Sequence, residues 1–350
     1  MEPLKKRSIK KEPMKDPLIR LTDTNTWFPY EKPLFGKITS WVKAVNRVSL
    51  DILNGECLGL VGESGCGKST LGRTILRLAP LHSGRLTFKG DDIGRLSGKN
   101  LKPYRPRMQM VFQDPKASLN PKMTVFQILK EALALNTKIP KENHLKEAVR
   151  LLTLVDLRPE HVYRFPHEFS GGQQQRISIA RAIATNPEFI VFDEATSALD
   201  VSVQAQVIHL MKDLQKKLNL TYLFISHDLS IMEHVCSRVA VMYAGRIIEV
   251  QEAASLFAAP RHPYTKALKE AVPIADPDAQ NELGLLKGEV PKLSDPPQGC
   301  HFHPRCDHAQ HICTTNTPRM SETGRNSWVR CHFHEKLWEQ GQLTDHKELS

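Results

Sequence analysis

Hydrophobic positions along the chain alternate between short strand-like runs and amphipathic helical segments. An apolar run from Glu56 to Val61 predicts a buried strand, and the pattern KSTLGRTILRL after it predicts a helix that stops at Pro80. Amphipathic spacing over about Val125 to Leu135 and over Leu145 to Val155 predicts two further helices. A glycine-rich loop separates the first strand from the first helix, so the local order is strand, loop, helix.

The same alternation returns in the second half. RISIARAIAT predicts a helix ending at Asn186-Pro187, EFIVFD a buried strand, VSVQAQVIHLMKDLQKKL a helix and TYLFIS a strand. The run Arg238 to Val250, split by Ala244-Gly245, predicts a hairpin. Strands that alternate with helices indicate a parallel sheet covered by helices on both faces.

Composition supports a folded protein of about two domains. The 350 residues are 40% hydrophobic and 25% charged, which excludes fibrous and wholly disordered classes. No apolar run approaches the roughly 18 residues that cross a bilayer, and no apolar stretch follows the basic start, so neither a membrane span nor export is expected. The net charge of +10 is diffuse, and we expect residues 1–20 to form a solvated basic tail without a nucleic-acid partner.

The glycine-rich loop is the first segment whose residues match a known binding pattern. Gly62, Gly67, Lys68 and Ser69 fit the phosphate-binding pattern G-x-x-x-x-G-K-[ST] between a strand and a helix. Backbone N–H groups at a helix start would bind phosphates, with the lysine on the β and γ phosphates and the serine on Mg²⁺. The residues predicted to bind nucleotide here are Gly62, Glu63, Ser64, Gly65, Cys66, Gly67, Lys68, Ser69 and Thr70.

A carboxylate pair and a second glycine turn follow. Asp193 and Glu194 end a buried strand, where Asp193 suits a hold on Mg²⁺ and Glu194 suits polarisation of a water; a helix N-cap is the alternative. FSGGQ, with Ser170, Gly171, Gly172 and Gln173, precedes a helix and predicts a second anion site. One chain has little use for two phosphate sites unless one serves another molecule.

Together these motifs resemble the ATP-binding subunit of an ABC transporter, over about residues 20–250. The motifs are Walker A at 62–70, the Q-loop Gln113, the signature Phe169–Gln173, Walker B Ile190–Glu194, the D-loop Ser197–Asp200 and His227. The resemblance implies an α/β fold: a P-loop, RecA-like parallel sheet with an antiparallel β subdomain and a helical signature subdomain at about 115–180. Two departures are Ala195, where the family usually has Pro, and Phe169 in place of Leu.

The resemblance also implies roles. Two subunits would close head to tail, so that Ser170 and Gly172 contact the ATP held by the partner. Glu194 would be the general base, His227 would contact the γ-phosphate, and Gln113 would join Ser69 and Asp193 at Mg²⁺ and meet a membrane subunit. An aromatic residue should stack on adenine, and Phe28 is preferred over Trp27, Tyr30, Phe35 and Trp41.

Arg261 to Asp278 resembles the segment after the nucleotide domain in oligopeptide and dipeptide importers, most closely their F-type ATPase. That resemblance implies a second, unlike ATPase subunit, two transmembrane permeases and an extracytoplasmic peptide-binding protein, with this chain peripheral at the cytoplasmic face of the membrane. The alternatives are an importer of nickel or another small solute and, from a different class, a soluble ABC ATPase acting on nucleic acid or ribosomes. The predicted domains are a basic tail at 1–20, an ABC nucleotide-binding domain at 21–275 and a small Cys-rich C-terminal region of the oligopeptide-transporter type at 276–350.

Cysteines are concentrated in the last segment, where Pro, Gly and His are also frequent. Cys300, Cys306, Cys313 and Cys331 follow the spacing C-x5-C-x6-C-x17-C, which lacks the short knuckle of most structural zinc sites. Without an export signal, a metal is preferred over disulfides. Four thiolates can hold an iron–sulfur cluster, and the resemblance to peptide importers adds a [4Fe-4S] site; zinc and unligated thiols are the alternatives.

Overall fold

A computed structural model of the chain describes residues 16–30, 40–135, 139–197, 199–271, 288–324 and 326–339. Most of the predicted basic tail, the predicted boundary at about Asp276, and the D-loop residue Ala198 lie outside the described residues. Among the described residues, no helix combines the length and the apolar character that crossing a membrane requires.

Twelve strands form two sheets in the part of the chain that the structure describes. The strands are β1 Pro17–Pro29, β2 Trp41–Leu53, β3 Cys57–Val61, β4 Ser83–Phe88, β5 Asp91–Asp92, β6 Met108–Val111, β7 Phe189–Asp193, β8 Thr221–Ile225, β9 Arg238–Tyr243, β10 Arg246–Glu252, β11 Ser321–Gly324 and β12 Ser327–Val329.

Helices connect and cover these strands. The α-helices are α1 Lys68–Ile75, α2 Gly98–Leu101, α3 Pro115–Ser118, α4 Val125–Leu133, α5 His144–Leu154, α6 Gly171–Ile183, α7 Val201–Leu218, α8 Leu229–Val235, α9 Ala253–Ala258, α10 Pro263–Glu270, α11 His311–Thr315 and α12 His334–Glu339. Short 3-10 helices lie at Lys102–Tyr104, Lys141–Asn143, Pro159–Tyr163, Pro166–Glu168 and His303–Arg305.

The larger sheet has the strand order β11-β12-β10-β9-β3-β8-β7-β6, and its members from β9 to β6 are parallel. The smaller sheet is antiparallel, with the order β2-β1-β4-β5. β3, β7, β8 and β9 are buried along their whole length, as expected for parallel strands covered on both faces. The predicted α/β core with an antiparallel β subdomain is confirmed.

Two predicted helix boundaries were wrong, and both errors have local causes. The first helix ends at Ile75 rather than at Pro80, because Arg77 adopts a left-handed φ of 55° that an α-helix cannot continue through. The helix predicted over RISIARAIAT begins earlier, at Gly171, because the Ser170 side chain accepts a hydrogen bond from the Gln173 N–H and caps the first turn.

The helical part between β6 and β7 packs as a small bundle. α4, α5 and α6 bury a shared apolar surface whose members include Leu129, Leu152 and Ile177. Thr124 and Gln127 form a reciprocal capping box at the start of α4, which fixes where that helix begins. The two amphipathic helices predicted here are both observed, with ends one or two residues from the predicted ones.

The Cys-rich segment joins the larger sheet. β12 pairs antiparallel with β10, with Val329 opposite Glu249 and Trp328 opposite Val250, and β11 then pairs with β12. The segment therefore adds two strands to the core sheet, an arrangement that its weak periodicity did not indicate.

Candidate nucleotide-binding site

Three loops meet at one edge of the larger sheet. β3, β8 and β7 are adjacent and parallel, so the segments that follow their carboxyl ends lie side by side. These segments carry the Walker A loop, His227 and the pair Asp193–Glu194. Ligands of open parallel sheets bind outside this edge, which makes it the place to look for the nucleotide.

The Walker A loop is tightly enclosed by backbone. Gly62 has a φ of 153° and Gly67 a φ of 111°, conformations that side chains rarely allow. A Cβ on Gly62 would lie 2.1 Å from the Met242 carbonyl oxygen, and one on Gly67 would lie 2.1 Å from that of Ala44. The loop can therefore pack against this neighbouring backbone only because glycine occupies both positions.

The Lys68 ammonium is held inside the loop. Its Nζ donates to the carbonyl oxygens of Gly62 at 2.8 Å and Glu63 at 3.0 Å, and the residue is only 4% exposed. An ammonium has three N–H donors, so one remains for a phosphate on the other side. Cys66, in the same loop, is buried, and burial raises the pKa of its thiol to about 11, so it stays protonated at neutral pH.

Oxygen atoms suited to Mg²⁺ lie beside the lysine. The Ser69 hydroxyl donates to Asp193 Oδ1 at 2.6 Å, and Arg73 lies 3.8 Å from Asp193 Oδ2. Burial raises the pKa of Asp193, while the Ser69 hydrogen bond and Arg73 oppose that rise. A hydroxyl and a carboxylate at hydrogen-bond distance are the donor set that a hard divalent cation prefers, so these residues fit Mg²⁺.

Glu194 is the centre of a polar group on the next segment. Gln113 Nε2 donates to Glu194 Oε2 at 3.1 Å and lies 3.3 Å from the Ser197 hydroxyl. His227 Nδ1 lies 3.6 Å from the same carboxylate oxygen. The structure thus brings together a carboxylate, an amide and an imidazole, which are the groups that position and deprotonate a water in general-base chemistry.

A cavity of about 470 Å³ lies over the loop. Of the predicted site residues, its lining includes Phe28, Ser64, Gly65, Gly67, Lys68, Ser69, Thr70, Gln113 and Glu194. Val42, Ala44 and Leu293 complete the lining among the described residues. Leu293 comes from the segment before the cysteines, and its carbonyl oxygen accepts a hydrogen bond from the Lys43 N–H at 2.9 Å.

The aromatic residues that compete for adenine are separated by position. Trp27 stacks on His82 with ring centroids 4.6 Å apart, and Trp41 also packs on His82 at 5.3 Å. Tyr30 is 57% exposed, and Phe35 lies outside the described residues. Phe28 lines the cavity, so it is the aromatic side chain placed where an adenine ring could stack.

The signature residues form the start of α6. Ser170 and Gln173 make a capping box, in which the Ser170 N–H also donates to Gln173 Oε1 at 3.1 Å. A Cβ on Gly172 would lie 2.3 Å from Val203 Cγ1 on α7. Within the described chain, no signature residue is among those that line the cavity over Walker A. The two predicted anion sites are therefore separate in one chain.

All four clustered cysteines line one small cavity, together with His303, His308 and His332. The cysteines are free thiols. Burial raises the pKa of Cys306 to about 11 and that of Cys331 to about 12, with smaller contributions from the neighbouring thiols. As the described residues are placed, no group of three His, Cys, Asp or Glu side chains is close enough to hold a metal ion, and the metal site stays a prediction.

Three residues that follow β10 in the sequence reach the Walker A loop or the cavity over it, and the sequence analysis missed all three. Leu293 lines the cavity, the Tyr264 hydroxyl accepts a hydrogen bond from the Glu63 N–H at 2.9 Å, and Arg305 pairs with the Glu63 carboxylate at 2.7 Å. Contacts across more than 200 residues leave no local pattern. A basic residue between two cysteines was the one available signal, and it resembles any other surface arginine.

Comparisons with known proteins agree with this geometry. Residues 45–197 match a family model described as ABC transporter, and residues 248–313 match one described as Oligopeptide/dipeptide transporter, C-terminal region. The structure is similar to cbiO1 of Clostridium perfringens, part of an ABC transporter complex, with a TM-score of 0.61 and 27% identity over 70% of this chain and 92% of that one. It also resembles the dimeric bacterial ABC transporter cassette MJ0796, with a TM-score of 0.58 and 26% identity over 67% of this chain and 98% of that one.

Curated relatives are more similar in sequence. The oligopeptide transport ATP-binding protein AppF of Bacillus subtilis is 48% identical over 91% of this chain and 97% of its own length. A putative peptide import ATP-binding protein of Brucella ovis is 48% identical over 83% of this chain and 92% of its own. The chain belongs to the ABC transporter ATP-binding family and is an ABC-type ATPase. Within that family it groups with the ATP-binding subunits of oligopeptide and dipeptide importers.

Proposed function

We propose that this chain hydrolyses ATP to energise the import of oligopeptides or dipeptides through an ABC transporter. The observation that carries the proposal is the convergence of Lys68, Ser69 and Glu194 on one cavity at the carboxyl edge of the parallel sheet. The similarity to peptide import ATP-binding proteins supports the choice of substrate class. Membership of this group implies that the chain works with membrane permease subunits.

Each residue of the site has a role that its position allows. Lys68 and the loop N–H groups bind the phosphates, and Phe28 stacks on adenine. Ser69, Asp193 and Gln113 hold Mg²⁺, which when bound neutralises phosphate charge. Glu194 accepts a proton from the attacking water, and His227, 3.6 Å from that carboxylate, orients the water and contacts the γ-phosphate.

ATP binding closes two subunits head to tail, and hydrolysis reopens them. Ser170 to Gln173 then contact the nucleotide of the partner, a role supported by their absence from the lining of this chain's own cavity among the described residues. The partner is a second, unlike ATPase subunit. Two transmembrane permeases and an extracytoplasmic peptide-binding protein complete the transporter, with this chain on the cytoplasmic face of the membrane and exposed Gln113 at the permease contact.

Exchange of Glu194 for Gln tests the catalytic role. The amide keeps the size and an acceptor but cannot take the proton, so we expect ATP binding to persist and turnover to fall by about 10²- to 10⁴-fold. Steady-state phosphate release and equilibrium ATP binding measure the two effects. Glu233→Gln, an exposed exchange on α8, is the matched control and should keep the parental rate. Unchanged hydrolysis in Glu194→Gln would remove this residue as the base.

Substrate class is tested in the assembled transporter. In proteoliposomes containing both permeases and both ATPases, we expect a binding protein loaded with peptide to raise ATP hydrolysis above the unloaded rate. Stimulation by a nickel-loaded binding protein and not by peptide would favour the small-solute alternative. Stimulation by RNA or ribosomes in the absence of permeases would favour the soluble class.

We further propose that the four clustered cysteines hold a [4Fe-4S] cluster that stabilises the last segment. Their common cavity supports the proposal, because Cys313 is buried and the other three thiols are half-buried, and a cationic centre would offset the cost of turning them into thiolates there. Anaerobically purified protein should be brown, absorb broadly near ~400 nm and contain about four iron atoms per chain. Cys313→Ser should lower the iron content, while Cys57→Ala, a core cysteine outside this cavity, should not. A colourless protein with bound zinc would favour the zinc alternative.

A further inference from the structure

Arg305 reaches from the Cys-rich segment into the Walker A loop. Its two terminal nitrogens pair with both oxygens of the Glu63 carboxylate, at 2.7 and 3.0 Å. The Arg305 side chain is 3% exposed and that of Glu63 is 21% exposed. A two-pronged pair with so little solvent fixes both side chains in one geometry, which an ion pair on an open surface does not.

Glu63 is fixed at all three of its polar groups. Its N–H donates to the Tyr264 hydroxyl at 2.9 Å, and its carbonyl oxygen accepts from Lys68 Nζ at 3.0 Å. Its carboxylate is held by Arg305. The residue between Gly62 and Ser64 is thus connected to α10, to the phosphate-binding lysine and to the Cys-rich segment.

An aromatic group encloses the pair. Tyr243 lies 4.6 Å from Tyr264 and 5.3 Å from Phe302, measured between ring centroids, and Tyr264 lies 5.5 Å from Phe302. The Arg305 guanidinium lies 5.8 Å from the centre of the Tyr243 ring and donates to its hydroxyl at 3.3 Å. These rings exclude water from one side of the ion pair, which strengthens its electrostatic effect.

The charge of Glu63 is unfavourable for the ligand of this loop. Glu63 belongs to the Walker A loop, five residues before Lys68, although it is not among the residues that line the cavity. Its carboxylate has the same sign of charge as the polyanionic triphosphate proposed for this loop, and like charges in a partly buried region repel. Arg305 neutralises that carboxylate. Without the guanidinium, the Glu63 side chain would either repel the phosphates or compete for the Lys68 ammonium.

We propose that Arg305 is a positioning residue of the ATP site, by which the Cys-rich segment sets the conformation and the charge of the Walker A loop and so the affinity for ATP. This inference rests on the proposed binding of ATP at Walker A. Arg305 acts through Glu63 and need not touch the nucleotide. The affinity for ATP then depends on the Cys-rich segment through the contact of Arg305 with Glu63.

Affinity measurements on the full chain test this inference. With calorimetric titration of a non-hydrolysable ATP analogue and Mg²⁺, we expect Arg305→Ala to raise Kd about tenfold, which corresponds to about 1.4 kcal/mol. In the double variant Glu63→Gln/Arg305→Ala, the uncompensated charge is gone, so most of the affinity should return. Arg305→Lys keeps the charge but not the fork, and its Kd should lie between those of the parent and of Arg305→Ala.

Arg330→Ala is the matched control. Arg330 also directly precedes a cysteine and is half-buried, but its side-chain hydrogen bonds go to the carbonyl oxygens of Ile247 and Pro318 rather than to the Walker A loop. We expect its Kd for the analogue to stay within about twofold of the parent, which corresponds to a small change in binding free energy. Urea unfolding of every variant reports whether a change in affinity follows a loss of stability.

The outcomes separate this inference from the proposed ATP site. Lys68→Ala should abolish binding of the analogue; if it binds normally, the ATP site itself is misplaced. If Lys68→Ala loses binding while Arg305→Ala keeps the parental Kd, only the role of Arg305 is overturned. The same holds if Arg330→Ala weakens binding as much as Arg305→Ala, or if Glu63→Gln does not restore affinity in the double variant.

Discussion

Single residues in the site hold backbone conformations that their neighbours enforce. Glu194 has a φ of 48°, uncommon for a residue with a side chain, and its N–H donates to the Ile225 carbonyl oxygen at 3.0 Å. The Ser197 hydroxyl also donates to the Glu194 carbonyl oxygen at 2.9 Å. Strained residues of this kind cluster at functional sites, because the surrounding structure has to hold them in place. The turn directs the carboxylate toward Gln113 rather than along the strand.

A comparison of Gly67 with Gly65 separates two costs of adding a side chain, the steric clash and the unfavourable backbone conformation. Gly67→Ala combines a left-handed φ with a Cβ 2.1 Å from the Ala44 carbonyl oxygen, whereas Gly65→Ala has a φ of 76° and nothing within 4 Å. We expect Gly65→Ala to lower the free energy of unfolding by about 1–2 kcal/mol and Gly67→Ala by about 3 kcal/mol or more. Urea unfolding of the nucleotide-free chain measures both. Equal losses would mean that the loop relaxes away from Ala44.

At the scale of elements, a buried carboxylate attaches α10 to the larger sheet. Glu249 on β10 is 0% exposed, and it accepts hydrogen bonds from the N–H groups of Arg261 at 2.7 Å and His262 at 3.0 Å. The imidazole of His262 in turn accepts from the Tyr264 N–H and caps α10. Burial raises the pKa of Glu249, and these donors oppose that rise. The carboxylate thus sets where Tyr264 lies, and Tyr264 holds the Walker A loop.

The attachment of α10 is tested by two exchanges at Glu249. Glu249→Ala leaves the buried N–H group of His262 without its acceptor, so we expect the free energy of unfolding to fall by about 3 kcal/mol. Glu249→Gln keeps one carbonyl oxygen and should cost about 1 kcal/mol. Thermal and urea unfolding give both values. A Glu249→Ala protein as stable as Glu249→Gln would show that water replaces the carboxylate.

The whole molecule couples the Cys-rich segment to the nucleotide site in several places. β12 extends the larger sheet at β10, Leu293 lines the ATP cavity, and Arg305 holds Glu63. Trp328 on β12 packs against an apolar cluster that includes Ile19 and Val250, and the Arg238 guanidinium lies 5.8 Å from its ring. We expect these contacts to make the segment part of one folding unit with the sheet.

Hydrogen exchange tests whether the Cys-rich segment and the larger sheet open as one folding unit. The Arg330 N–H donates to the Ile248 carbonyl oxygen at 2.7 Å, continuing the pairing of β12 with β10. If segment and sheet open together, the protection of this amide should lie within about tenfold of that of the β9 amides in native-state exchange. The Thr323 amide, on the outer strand β11, is the internal comparison and should exchange faster. Exchange of Arg330 at the rate of an open loop would show that the segment detaches by itself.

Much of the core was predictable because its signals are local. β3, β7 and β8 were predicted from continuous apolar runs, and α7 from its periodicity, since buried parallel strands and amphipathic helices each leave a pattern within a few residues. β11 and β12 were not predicted, because they are only four and three residues long and the pairing of β12 with β10 depends on distant residues. Spacing favoured Phe28 as the residue that stacks on adenine, and Phe28 lines the cavity, as that role requires.

The order of the motifs along the chain by itself determined the family resemblance, the α/β class and the identity of the phosphate loop, because each motif is read within a few neighbouring residues. Only the tertiary structure decided that Tyr264 and Arg305 reach that loop and that Leu293 lines the cavity over it. Arg305 and Glu63 are 242 positions apart, and contacts of that separation are set by how whole elements pack. Local periodicity carries no record of them.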